Sequence, residues 1–238
     1  MFEKRFKIKI KQTAASIITQ EKYLKFVLDE VIKQRNLLES YIVKDSIFLK
    51  TLSSYKVKKD APEIAKKMAE ACAIVGVGPM ASVAAAIAFY GVKAAIKKGC
   101  RFIVFENGGD IAMYINRPVS VGIYSGEKIK DLALRVLPED NIIGICTSSG
   151  KMGHSLSFGN ADSVTVISSD PILSDAAATS ICNLIKKVDI NMIENIIKSY
   201  LASQVKAVIV IIDGYIFMGG KVPELLYRKI PYELITIS

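Results

Sequence analysis

Three short stretches carry groups that could do chemistry. The first is Glu106-Asn-Gly-Gly-Asp110, where two glycines between apolar runs allow a tight turn that lays its backbone against a ligand. In that arrangement Glu106, Asn107, Gly108, Gly109 and Asp110 would bind the ligand; the plainer reading is a hairpin turn. The second is Gly144-Ile-Cys-Thr-Ser-Ser-Gly-Lys-Met-Gly-His154, which holds the single histidine of the chain. Its Thr147, Ser148, Ser149 and Gly150 follow an apolar strand, so their N–H and O–H groups could converge on an anion. His154 could serve there as a general acid or base near neutral pH, or stand as a structural residue. The third is Ser174-Asp-Ala-Ala-Ala-Thr179. Asp175 and Thr179 are four apart on an expected helix, and two oxygens at that spacing share a face and can hold a hard cation such as Mg²⁺. A solvated polar face is the alternative. Ala176, Ala177 and Ala178 leave little bulk around the pair, so another backbone segment can approach.

Two familiar phosphate-binding patterns are absent. Gly144 and Gly150 are separated by five residues rather than four, and Met152 stands where a P-loop needs Ser or Thr. Gly76-Val-Gly78 lacks a third glycine and runs into Pro79, so it is no dinucleotide fingerprint. Cys72, Cys100, Cys146 and Cys182 form no close pair, which excludes a zinc ribbon or disulfide framework and points to a reducing cytoplasm. Cys146 and Cys182 border the second and third stretches, either as sulfur chemistry or as small buried hydrophobes.

The elements that must position these groups follow from periodicity. Phe6 to Ile10 alternates as a first strand, and Leu24, Val27, Leu28, Val31 and Leu38 mark a helix over 21–40. A helix opens near Pro62 with Ile64, Met68 and Cys72 inside, breaks at Gly76 to Pro79, and an alanine-rich helix over 81–97 stops at Gly99. Strands are expected at 101–105, 111–115, 119–124, 142–146 and 163–167, with a polar helix or loop at 127–140. Pro171 opens a helix whose core stripe is Leu173, Ala177, Leu184 and Val188, with Asp175 and Thr179 opposite. A helix at 190–203, a strand at 208–212, an Asp213-Gly214 hairpin and a strand at 215–218 complete the chain. Helices dominate the first third and strands the rest. This is α+β, a largely antiparallel sheet with helices on one side, read as a single domain with a basic region over 1–60 and a core over 61–238.

With 238 residues and 51% apolar content the chain can bury a sizeable core. Its net charge is +9. Residues 1–60 hold 14 Lys/Arg against 7 Asp/Glu, giving +7 of that total, read as a solvated lysine-rich surface because no nucleic-acid motif accompanies it. Ala71 to Val92 carries no charge, but Ala, Gly, Ser and Pro79 fit a buried helix better than a membrane span.

Taken in order, these stretches resemble the ApbE superfamily, whose best-known members are FAD:protein FMN transferases. Glu106 to Ile111 is similar to its Gly-Gly-Asp turn, Ser149-Gly150 with His154 to its Ser-Gly…His segment, and Ser163 to Ile167 followed by Ser174 to Thr179 to its strand and Ala-Asp-Ala-x-x-Thr helix. The phrases Gly76-Val-Gly-Pro-Met-Ala81, Gly144 to Ser149 and Gly153 to Asp162 resemble a branch from archaea and some bacteria that has no settled activity. The resemblance implies an ApbE-like, T-fold-like antiparallel sheet with packed helices. It also implies Mg²⁺ held by Asp175, Thr179 and a backbone carbonyl from Met80 to Ala85, with FAD or FMN as the associated cofactor. Two departures stand out. Ser82-Val-Ala-Ala85 has no lysine where the transferases carry Lys-Gly, and Ser155-Leu-Ser-Phe-Gly159 replaces their Asp-Pro-x-Thr-Gly.

Four readings follow. The chain is a Mg²⁺-dependent enzyme that binds a nucleotide or other small phosphorylated ligand; an FAD:protein FMN transferase; an accessory protein of archaeal sulfur assimilation, from sulfide to homocysteine; or a non-enzymatic scaffold docking through its basic N-terminal region. Expected partners are a phosphorylated ligand or flavin nucleotide and a further copy in a homo-oligomer, with neither nucleic acid nor membrane.

Overall fold

A computed structural model describes residues 2–126, 128–151 and 159–227. The elements run β1 (Lys4–Ile10), β2 (Thr13–Thr19), α1 (Glu21–Lys44), α2 (Ser46–Lys50), α3 (Glu63–Val75), a 3-10 turn (Pro79–Ser82), α4 (Val83–Lys97), β3 (Ile103–Asn107), β4 (Asp110–Tyr114), β5 (Val119–Gly122), β6 (Leu132–Val136), β7 (Ile143–Ser148), β8 (Ser163–Ser168), α5 (Pro171–Leu184), α6 (Ile190–Leu201), β9 (Val205–Ile212), β10 (Tyr215–Gly220) and β11 (Glu224–Tyr227). The expected α+β class holds. An eight-stranded sheet has the order β1-β2-β3-β4-β7-β8-β9-β10, and every pairing in it is antiparallel.

Both faces of this sheet are covered. On one side Ile17, Phe105 and Ala112 pack against α1, α3 and α4, while Val164, Val166, Val208 and Val210 pack against α5 and α6. On the other, Ile111, Met113, Ile145, Ile209 and Ile211 meet Val121, Leu132, Leu134 and Val136 of a small sheet ordered β11-β6-β5. Two-sided burial explains why central strands such as β9 read as nearly unbroken apolar runs. The charge-poor helix is explained likewise. Among the described residues one helical stretch, Pro79–Lys97, is long and apolar enough to cross a membrane, and more than half of it is buried against α1 and the sheet.

Several expectations are corrected. The first third holds a second strand besides the expected one, because Thr13–Thr19 forms β2 and pairs with β1 through a turn in which Lys11 takes φ 52°. No Gly, Asn or Asp marks that turn. Residues 127–140, expected as a polar helix or loop, contain β6, whose Leu132, Leu134 and Val136 point into the core. Strand β11 was not anticipated. In α5, Leu184 is 49% exposed and Val188 lies beyond the helix, so neither belongs to its core stripe. All positions from Pro171 to Cys182 are buried, which leaves α5 no solvated face.

The closeness of α5 to the sheet depends on Gly144. A Cβ there would stand 2.5 Å from the Pro171 Cα and 2.8 Å from the Ser174 Oγ, so β7 admits the first turn of α5 only without a side chain. Gly144→Ala should therefore displace α5 and cost about 1–3 kcal/mol. A melting temperature lower by roughly 3–10 °C is expected in calorimetry.

Candidate functional site

The described parts of the three stretches meet where β3 and β7 end and β4 begins, beside the start of α4 and the middle of α5. The β3–β4 hairpin closes on Asn107↔Asp110, with Gly108 at φ 66° and Gly109 at φ 98°. These values are open to glycine, and two in succession match the twist of the flanking strands. Glu106 Oε1 accepts the Gly109 N–H at 3.0 Å, and Asn107 Nδ2 donates to the Ala84 carbonyl at 3.0 Å, so the turn is tied to the first turn of α4. Gly109 lies over the Thr147 carbonyl.

Asp175 reaches the same helix end from α5. Its Oδ2 accepts the Ala85 N–H at 3.1 Å. Ser82, which precedes α4, gives that helix no side-chain cap and donates instead to the Pro79 carbonyl. Asp175 thus caps a neighbouring helix at its positive end, a favourable place for an anion. Thr179 sits one turn further along α5 and is also buried.

Asp110 is paired with Cys146 across the β4–β7 ladder and lies within electrostatic reach of Asp175. Burial pushes the Asp110 carboxyl well above the usual range, and repulsion from Asp175 adds to this, while the Thr147 N–H and Cys146 thiol pull the other way. Asp175 is pushed up to about 7 by burial, opposed by the Ala85 N–H. No described lysine or arginine is among the groups that perturb either carboxyl. Among the described residues Asp110 Oδ1 and Ser148 Oγ are also buried with no hydrogen-bond partner. A buried polar atom left unmatched costs roughly 1–3 kcal/mol, so this junction is built at a loss unless something else completes it. Its hard oxygen donors suit a divalent cation such as Mg²⁺.

The remaining expected residues divide. The Thr147 hydroxyl is committed to Thr165 Oγ1 at 2.9 Å, Ser149 Oγ accepts the Lys151 N–H, and the Gly150 N–H goes to the Ala161 carbonyl. These contacts consume donors that an anion cradle would use, which leaves Ser148 as the loop's buried unmatched hydroxyl. His154 lies outside the described residues. Cys146 borders Asp110, and burial followed by the two carboxyls pushes its thiol well up. Cys182 packs instead with Val164, Ile181 and Ile193. Both thiols are buried, and a protonated buried thiol is a poor nucleophile. What sequence reasoning missed is the proximity of Asp110 to Asp175 and the bond from Asn107 to Ala84. The glycines beside Asp110 were a signal for the turn, but nothing local marked its carboxyl as buried next to another.

The raised carboxyl sets a pH dependence. Between the ordinary carboxylate value near 4 and about 7, the folded chain keeps a proton on Asp175 that the unfolded chain has released. Stability is therefore lost as pH rises through that window. Asp175→Asn keeps an acceptor for Ala85 and removes the charge. Without divalent cations it should melt several degrees above the parent protein at pH 8, on the order of 2 kcal/mol, and close to it at pH 4. Equal melting temperatures at both pH values would refute the assignment.

Comparison with known proteins agrees with this architecture. A family model described as "AbpE bacteria" matches residues 2–211. A UPF0280 protein from Methanocella arvoryzae is 39% identical over 98% of this chain and 95% of its own length. Among solved structures, the ApbE protein of Thermotoga maritima superposes with a TM-score of 0.63 at 10% identity, covering 99% of this chain and 100% of the other. The flavin transferase ApbE of Vibrio cholerae gives a TM-score of 0.56 at 14% identity, covering 91% and 96%. At these identities the structures bear on the fold alone, whereas the family match and the close relative bear on ancestry: the chain belongs to the ApbE-like family matched by the AbpE bacteria model, together with the UPF0280 proteins.

Proposed function

We propose that this chain is a Mg²⁺-dependent enzyme of the ApbE type that binds a nucleotide or another small phosphorylated ligand at the junction of α4, α5 and the β3–β4 hairpin. The observation that carries this reading is the pair of buried carboxyls, Asp110 and Asp175, without a cationic partner among the described residues. Asp175 and Thr179 would hold the metal with a carbonyl from the Met80 to Ala85 segment. When bound, Mg²⁺ would neutralise phosphate charge and polarise a P–O bond. Glu106 and Asn107 keep the hairpin rigid, so that Gly108 and Gly109 present bare backbone to the ligand. Ser148 offers the hydroxyl left unmatched in the protein itself. His154 would move the proton at the reacting centre.

Flavin transfer is the second reading, favoured by the likeness of fold to the Vibrio cholerae flavin transferase. The missing lysine at Ser82 to Ala85 and the altered Ser155 to Gly159 segment weigh against it. The buried thiols give the sulfur-assimilation reading no exposed nucleophile among the described residues.

Titration with FAD, FMN, ADP and ATP, with and without Mg²⁺, separates these readings. At 100 times Kd a productive ligand stabilises by about 2.7 kcal/mol, a rise of roughly 5–10 °C for a chain of this size. We expect such a rise only with Mg²⁺ present, and loss of the Mg²⁺-dependent part in Asp175→Ala. Thr179→Val should weaken Mg²⁺ binding about tenfold, equivalent to about 1.4 kcal/mol for one lost oxygen ligand. No response to any of the four ligands would sink the nucleotide reading and favour a scaffold.

A further inference from the structure

The two edges of the large sheet are treated differently. One edge is β1, and of its seven residues Lys4, Arg5, Lys7 and Lys9 are cationic. Charge along an edge strand prevents another strand from adding to it. The other edge is β10, Tyr215-Ile-Phe-Met-Gly-Gly220, which has no charge, no proline and no bulge against β9. Tyr215 and Met218 are 59% and 48% exposed, and no described strand pairs with its outer side.

The register of this edge can be read. The two-residue turn Asp213-Gly214 closes the pair Ile212↔Tyr215, and the Lys221 N–H donates to the Lys206 carbonyl. Odd-numbered residues therefore bond to β9, and Ile216, Met218 and Gly220 aim their N–H and C=O groups outward. A two-fold axis normal to the sheet pairs residues that point to the same face. With the axis at Phe217, Ile216 meets Met218 of a second copy and about four backbone hydrogen bonds form. Continued past the strand ends, the same register brings the Asp213 turn near the second copy's Lys221 at both ends. Asp213 also contacts Lys151 at 3.3 Å, but its side chain is 54% exposed and retains a free approach. Registers centred on neighbouring residues lose this opposite-charge match.

We propose that β10 is a homodimer interface, in which two copies pair antiparallel about Phe217 and join their large sheets into one. Phe217 lies on the axis in a pair without hydrogen bonds, where Cα atoms stand about 4.5 Å apart. That spacing suits a disulfide.

The test uses the full chain. Light scattering should give twice the chain mass, falling on dilution. Phe217→Cys should form a disulfide-linked dimer on mild oxidation, because the four native thiols are buried. Met218→Pro removes an outward N–H and no bond to β9, and should give a monomer with unchanged circular dichroism. Lys221→Glu should weaken the dimer by roughly tenfold through two like-charge pairs. A parent chain that stays monomeric at every concentration, a Phe217→Cys variant that does not cross-link, or a dimer that survives Met218→Pro would overturn the proposal.

Discussion

The Asp175 carboxylate accepts the Ala85 N–H and thereby couples the middle of α5 to the start of α4, two helices that pack on neighbouring parts of one sheet. Asn107 adds the β3–β4 hairpin to the same helix end through the Ala84 carbonyl. Gly144 completes the arrangement by letting β7 and α5 approach to a distance that no side chain would permit. Each contact is short-range and directional, and together they hold four elements about one point. A carboxyl removed from water is costly, so this junction is a place where stability is spent.

The meeting of two buried carboxyls sets this junction apart from ordinary packing. Elsewhere many buried polar groups are matched, although Gln34 Oε1, Arg35 Nε and Tyr90 OH also lack a partner among the described residues. Asp45 accepts from Tyr41 and Tyr55, and Ser180 meets Val75 and Tyr200. At the α4–α5 junction Asp110 Oδ1 and Ser148 Oγ are not, and two carboxyls share one low-dielectric region. Like charges so placed favour either a shared proton or a bound cation. The capping of α4 by Asp175 is a sufficient structural role for that residue alone. It does not account for Asp110, and so the pair argues for a ligand more strongly than either member does.

Membership of the ApbE-like family and the distinctness of this chain within it are both visible in residues. The family match spans residues 2–211 and so includes the Gly108-Gly109 turn and the Asp175 and Thr179 pair. The uncharged Ser82 to Ala85 turn changes what a ligand would meet at the start of α4. Ser82-Val-Ala-Ala85 offers a ligand backbone and small side chains there, with no lysine.

Local chemistry determined much from the sequence alone. Pro171 and Gly99 bound helices, Asp213-Gly214 and Gly108-Gly109 mark hairpins, and the i, i+4 spacing alone puts Asp175 and Thr179 on one face. Signals of this kind lie within a few residues of the effect they cause. Strand β2 escaped because its turn at Lys11 lacks the usual turn residues, and β6 because Arg135 and the polar residues around it masked the alternation of Leu132, Leu134 and Val136. Only the tertiary structure decided that α5 is buried from Pro171 to Cys182 and that Asp110 and Asp175 are buried near one another. The physical reason is that desolvation belongs to the surroundings of a group. Those surroundings are assembled here from β4, β7, α4 and α5, segments as distant in the chain as residues 85 and 175.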